Sequence, residues 1–287
     1  MHFRLFAVPA ALCAGALLLP TSGQSQSPPT PNPQSPAAAQ PAAPELEPKA
    51  IEILKESSRR LAAAKTLSFK VVATEESPSR YGPALAYMTT SDVVLQRPDK
   101  LRVVTPGDGP ASEFTYDGKT ITSFQPAENF VAVAEAPPTI DAMLDRLFGV
   151  AGTYFPFTDV IVADPYADLA KGLTFAFYIG RSAVVDGVTT DMVAYECNGV
   201  FVQLWVGTED KLPRMARAVY ADDPLQLRHQ MVLSRWQVDP AVPAGAFTSS
   251  KAAGAKRIGF AHPKSYAPQT PVPAVKNAPP EPTLKSR

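Results

Sequence analysis

Between residues 67 and 238 the chain offers one imidazole, His229, and one thiol, Cys197. A histidine-centred metal site or general base would have to recruit carboxylates around that single ring. Cys197 has no second histidine to raise its thiolate fraction, so it reads as a small apolar strand residue. Carboxylates occur in pairs at Glu75 and Glu76, Asp164 and Asp168, and Asp222 and Asp223. Neighbours on a strand point to opposite faces, so Glu75 and Glu76 cannot act together unless the backbone bends. Asp164 and Asp168 could stand one helical turn apart and share a cation or split their pKa values, but Pro165 makes Asp164 a helix cap. Asp222-Asp223-Pro224 is a turn by composition. No Gly-x-Ser-x-Gly elbow, phosphate-cradling glycine loop or Cys-x-x-Cys is present. The residues predict no catalytic site, no metal site and no cofactor, hence a protein that holds something rather than an enzyme.

The elements that would do the holding are mostly strands. Residues 47–64 place Ile51, Leu54, Ser58 and Leu61 at helical spacing with charges opposite, and Pro48 suits the first turn. From Leu67 the period changes to two, as Phe69, Val71 and Ala73 alternate with polar neighbours. Strands follow at 84–97, 100–105, 113–116, 119–124 and 129–134, with turns at Arg97-Pro98-Asp99-Lys100 and Asp117-Gly118. Thr139 can cap a helix to about residue 148, with Ile140, Met143, Leu144 and Leu147 as its apolar face. Residues 158–171 read as one or two short helices broken at Asp164-Pro165. Strands resume at 173–185, 188–197, 200–206, 212–220 and 226–238, two of their turns being Asp186-Gly187 and Asn198-Gly199. Ten or eleven strands in tight hairpins predict an α+β fold, a twisted antiparallel sheet that curls, with helices covering its concave face.

Composition sets the ends and the compartment. His2 and Arg4 precede an apolar stretch from Leu5 to Leu19, too short to span a bilayer comfortably, then small residues to Gly23. Residues 1–23 read as a cleaved secretory signal. Leu12 ahead of Cys13 argues against acylation of that cysteine, and removal of the signal leaves Cys197 without a disulfide partner. Residues 24–46 and 261–287 are Pro-rich and read as tethers too poor in apolar residues to bury a core. The expected domain is 47–260. Lys plus Arg equals Asp plus Glu at 27 each, without a basic cluster, which sets nucleic acid aside.

The order of these elements carries a resemblance. The stretch Arg97-Pro98-Asp99-Lys100-Leu101-Arg102, the hairpin Tyr116-Asp117-Gly118-Lys119, then Gln203-Leu204-Trp205, Leu212-Pro213-Arg214 and a late Trp236 resemble a family of predicted periplasmic proteins. That family is of unknown function, and its fold looks like that of the LolA and LolB lipoprotein carriers. The resemblance spans residues 49–258. It implies an open half-barrel closed by helices over an apolar cavity, and a periplasmic or secreted protein that binds a lipid or other apolar ligand in the cell envelope. It also implies an arginine that latches the helical lid, with Arg97 and Arg102 nearby.

The residues that could line such a cavity, all on predicted strands, are Phe69, Val71, Tyr87, Leu101, Val103, Phe175, Phe177, Trp205, Met215 and Met231. Ordinary core packing against the helices accounts for the same pattern. The expected partners are an acyl chain, an envelope protein and transient contact with a membrane. The alternative is a structural or interaction module of the envelope with a packed interior.

Overall fold

The structure is a computed structural model and describes residues 45–107 and 110–261. The expected signal with Cys13, the tether up to residue 44 and the tail from residue 262 lie outside them.

Helix α1 (Pro48–Ala63) starts with proline in its first turn and buries Ala50, Ile53, Leu54, Ser57, Ser58 and Leu61. Six strands follow as a meander: β1 (Thr66–Ser77), β2 (Leu85–Gln96), β3 (Lys100–Thr105), β4 (Ser112–Tyr116), β5 (Thr120–Gln125) and β6 (Phe130–Glu135). Three helices come next, α2 (Ile140–Ala151), α3 (Thr158–Ile161) and α4 (Pro165–Ala170). A second meander comprises β7 (Leu173–Ser182), β8 (Thr190–Cys197), β9 (Val200–Gly207), β10 (Pro213–Tyr220) and β11 (Arg228–Val238). A 3-10 turn at Ser250–Gly254 leads into β12 (Lys256–Ile258).

All twelve strands form one open sheet in the order β12-β6-β5-β4-β3-β2-β1-β11-β10-β9-β8-β7. The class is the expected α+β, with the sheet antiparallel except where β12 runs parallel to β6. Twelve strands exceed the expected ten or eleven because β12, at three residues, is too short to carry an alternating pattern. The two meanders meet only at the β1–β11 seam, where Val71 faces Leu233. Since β6 lies next to one edge and β7 forms the other, the helical stretch between them must cross the width of the sheet.

Local signals explain the joints. The Thr139 hydroxyl accepts from the Ala142 N–H at 3.3 Å, and Gly152, at φ 61, ends α2 in the left-handed region. Asp164 caps α4 by accepting from the Ala167 N–H at 3.0 Å. Asn198-Gly199 takes positive φ at both residues, as a two-residue hairpin requires, and Asp186-Gly187 does so at the tip of the longer β7–β8 connection. Asp117-Gly118 differs. Only Gly118 is left-handed, while the Asp117 carboxylate accepts the N–H groups of Lys119 and Thr120.

Helices α2 and α3 cover one face of β1–β5. Phe69, Val71, Val93, Leu95, Leu101 and Val103 meet Met143, Leu144, Leu147, Phe157, Val160 and Ile161 in one closed cluster. Aromatic rings thread it: Trp236 stacks on Phe69 at 4.5 Å, Phe69 meets Phe157 edge-on, and Phe155 links Phe157 to Phe114. Trp236 reaches that face because the β1–β11 register shifts beside it, with Arg235 at φ 56. A second cluster joins α1 and α4 to β7–β9 through Ile53, Leu54, Ala176, Val193 and Val206. On the outer face of β4–β6 the segment after β11 lies down, burying Phe247 and hydrogen-bonding Ser249 to Glu113.

The β7 edge is also closed off. Leu46 bridges to Ala176, and the Glu47 carboxylate accepts the Tyr178 N–H at 2.7 Å.

Candidate functional site

Strand parity sorts the ten candidate residues into two groups. Phe69, Val71, Leu101 and Val103 lie on the helix-covered face within the closed cluster, and Met231, on the same face, packs at its margin. Tyr87 has the same parity, opposite Glu75, but stands past the cover and is 58% exposed. Phe175, Phe177, Trp205 and Met215 fall on the opposite, outer face. There Met215 pairs with Trp205, and Phe175 stacks on Phe177. The expectation that all ten share one face is therefore corrected. In β7 and β9 both faces carry apolar residues, and the covered one belongs to Ala176, Tyr178, Val202 and Leu204.

Phe69, Val71, Leu101 and Val103 are sealed in the core, being 0–3% exposed. The open part of the covered face lies farther along, between α1 with α4 and α2 with α3. Its floor is built by register from Tyr195 on β8, Val202 and Leu204 on β9, Ala216 and Ala218 on β10, and Met231 and His229 on β11. All of these are half-buried except Ala216, which is 8% exposed. Two alanines side by side leave a trough, since each withdraws most of a side chain's volume from the layer between sheet and helices.

Further polar and aromatic side chains come from the crossover and the strand ends. Tyr154 follows α2 and is 53% exposed; Tyr220 ends β10 and meets the His229 ring edge-on at 5.2 Å. Asp159 projects from α3. Its side chain is exposed, and neighbouring protein atoms, followed by the Asp168 charge, raise its pKa above the usual carboxylate range. Burial likewise raises the phenols of Tyr154, Tyr195 and Tyr220, with the Asp159 charge the next cause for each.

Cys197 borders this space with its thiol donating to the Leu169 carbonyl at 3.3 Å, which holds α4 over β8. Burial and then Asp159 push its pKa up, the opposite of what a nucleophile requires. Among the described residues no group of three or more His, Cys, Asp or Glu side chains is placed to hold a metal ion. Asp168 does not pair with Asp164; it accepts from Lys171 at 2.6 Å.

The two arginines near the expected latch part company. Arg97 donates to the Ile161 carbonyl at 3.0 Å and to the Leu61 carbonyl at 3.4 Å, tying the end of β2 to α3 and α1. Burial lowers its pKa, with the Asp141 charge opposing. Arg102 turns to the outer face and pairs with Glu113 at 3.0 Å. An open hollow of about 570 Å³ beside Arg97, bounded by Lys65, Thr66, Gln96 and Asp239, lies at the other end of β1 from the trough.

Tyr195, Tyr220 and the two alanines were absent from the expected lining. The Asn198-Gly199 turn could have indicated the floor, because a two-residue turn sets the pairing of Tyr195 with Val202.

A family model described as "Predicted periplasmic protein (DUF2092)" matches residues 50–261. No curated protein matches the chain. Among solved structures, LprF from Mycobacterium bovis is similar at 18% identity and TM-score 0.43, over 70% of this chain and 98% of that one. MucB is similar at 13% identity and TM-score 0.40, over 71% of this chain; the match spans 63% of MucB, less than two thirds of its length. A LolA superfamily protein from Nitrosomonas europaea is similar at 11% identity and TM-score 0.34, over 70% of this chain and 97% of that one.

Proposed function

Because the chain belongs to the DUF2092 family of predicted periplasmic proteins, we propose that it is a periplasmic binding protein that holds the apolar chain of a lipid or other amphiphile in the trough over β8–β11. One observation carries this reading. Along a single sheet face, the residues under α2 are sealed while Val202, Leu204, Ala218 and Met231 keep accessible apolar surface. Covering that surface with an acyl chain would contribute about 0.8 kcal/mol per methylene, before the cost of association. The chemistry is retention and release, with no bond made or broken.

Native mass spectrometry of gently purified protein, with extraction of any bound lipid, tests the proposal. The expected result is a mass heavier than the polypeptide, or uptake of added fatty acid or phospholipid at unit stoichiometry. A clean polypeptide mass with no uptake would overturn it.

A second reading, an interaction module for an envelope protein, is favoured by the outer face of β7–β10. Phe177 is 43% exposed there, beside half-buried Phe175, Phe201, Trp205 and Met215.

A further inference from the structure

A row of twelve strands has two end edges, and this sheet has a third. β1 and β2 pair over their whole length, from Thr66 with Gln96 to Ser77 with Leu85. On its other side β2 is paired by β3 only from Asp92 to Gln96. The Ser91 hydroxyl still meets that of Thr105, at 2.8 Å. Beyond it, no strand among the described residues pairs with that side of Leu85 to Thr89. Residues 81–89 are all exposed, and the large side chains Leu85, Tyr87 and Met88 are 49–58% exposed.

The two end edges are protected and this one is not. β7 is held by the Leu46 bridge and the Glu47 carboxylate. β12 is three residues long and carries Lys256 and Arg257. Shortness, charge and cover are the usual means by which a sheet edge is kept from pairing. Residues 82–91 of β2 and its approach contain no charged residue, and 85–89 contain no proline. Tyr87 and Thr89 favour the extended state, and alternate residues direct their N–H and C=O groups away from β1.

We propose that this edge pairs with the same edge of a second copy of the chain, antiparallel, about a two-fold axis at Tyr87. Leu85 then faces Thr89, Ala86 faces Met88, and the two Tyr87 rings stand directly opposite. That register uses the five exposed residues and ends before Ser91, where Thr105 already lies. No charge meets a like charge across it, and an uncharged stretch offers nothing to select a charged segment of another protein. A two-fold contact consumes the same edge in both copies, so with the end edges protected assembly stops at two. Glu75 lies between Tyr87 and His229 in register, so the pairing makes one continuous sheet with both troughs on the same side. The proposal is independent of what the trough holds.

Sedimentation equilibrium of the purified protein should show a monomer–dimer equilibrium in the micromolar range. Tyr87→Lys, which sets like charges across the axis, should weaken it at least about tenfold. Phe177→Ser, in the apolar patch of the outer face, should leave it unchanged. On a Cys197→Ser background, Tyr87→Cys should give a disulfide-linked dimer on mild oxidation, since residues directly opposite at the axis have Cα atoms about 5 Å apart. Met88→Cys, which faces Ala86, should cross-link far less, and the background alone should not. Circular dichroism checks that each variant is folded, which the exposure of these side chains favours. A monomer at every concentration up to the millimolar range, or a dimer that survives Tyr87→Lys, would overturn the pairing. Equal cross-linking through Tyr87→Cys and Met88→Cys would overturn the register.

Discussion

The Arg97 guanidinium donates to the Ile161 carbonyl across 3.0 Å, and a second nitrogen of the same fork reaches Leu61 at 3.4 Å. One side chain at the end of β2 thus satisfies backbone acceptors at the last residue of α3 and near the end of α1. Hydrogen bonds from a charged donor are worth about 1.5–3 kcal/mol each when buried. Arg97→Met should lower stability to urea by about 2–4 kcal/mol. Amides of residues 158–163 should exchange faster while those of β3–β5 stay protected, as hydrogen exchange with mass spectrometry would show. Uniform loss of protection across the chain would count against a latch confined to the helices.

The sealed and open parts of the covered face should separate stability from binding. Phe69, 2% exposed and stacked on Trp236, should cost about 3–5 kcal/mol when replaced by alanine, with lipid uptake per folded molecule unchanged. Ala218→Trp should do the reverse: it fills the trough from a half-buried position, abolishing uptake while shifting the thermal midpoint little. Retained uptake in Ala218→Trp would place the ligand elsewhere.

Two carboxylates should respond to pH with opposite sign. Asp239 accepts the N–H groups of Thr66 and Lys65, and these bonds, Thr66 first, hold its pKa below the usual range. Its stabilising effect is present above the unfolded-state value of about 3.9 and is lost as pH falls through the lower folded-state value. Asp239→Asn, which tolerates the φ of 53 at that position, should lower the thermal midpoint at pH 7 and not at the acid end. Asp159 has its pKa raised, mainly by burial, so ionisation costs stability above the unfolded-state value. Asp159→Asn should therefore raise the midpoint at pH 7, and the gain should vanish below about pH 3. Calorimetric scans across pH decide both; equal shifts at pH 7 and at acid pH would contradict the assignments.

Glu47 guards an edge. Its carboxylate occupies the Tyr178 N–H at 2.7 Å, where another strand could otherwise pair. Glu47→Ala should cost only about 1 kcal/mol yet promote self-association, because the freed amide lies beside Phe177 on β7. Light scattering coupled to size exclusion would detect it, and a strictly unchanged mass at high concentration would refute it.

Much of the scaffold could be read from local chemistry. Thr139 and Asp164 announce helix starts because a short oxygen side chain can satisfy orphan amides, and alternation in 67–73 admits only a strand with one buried face. The face assignment failed in β9, where Val200, Phe201, Val202, Leu204, Trp205 and Val206 leave no polar side to orient the strand. Parity there is decided by neighbours far along the chain, and the bulge at Arg235 moves it again on β11. Asp159 stayed hidden for a different reason. It sits in a four-residue helix among Phe157, Val160 and Ile161, where nothing in the local pattern singles it out.

The seam between β1 and β11 sets a timetable for export. Leu67 pairs with Val238, so a polypeptide crossing a membrane from its N-terminus leaves the inner edge of β1 open until almost the entire domain has emerged. The first meander can form earlier, but Phe69 waits for Trp236 and Val71 for Leu233. During that interval the newly delivered half-sheet presents an uncapped strand and a bare apolar face, the state in which a periplasmic holding chaperone would find its client.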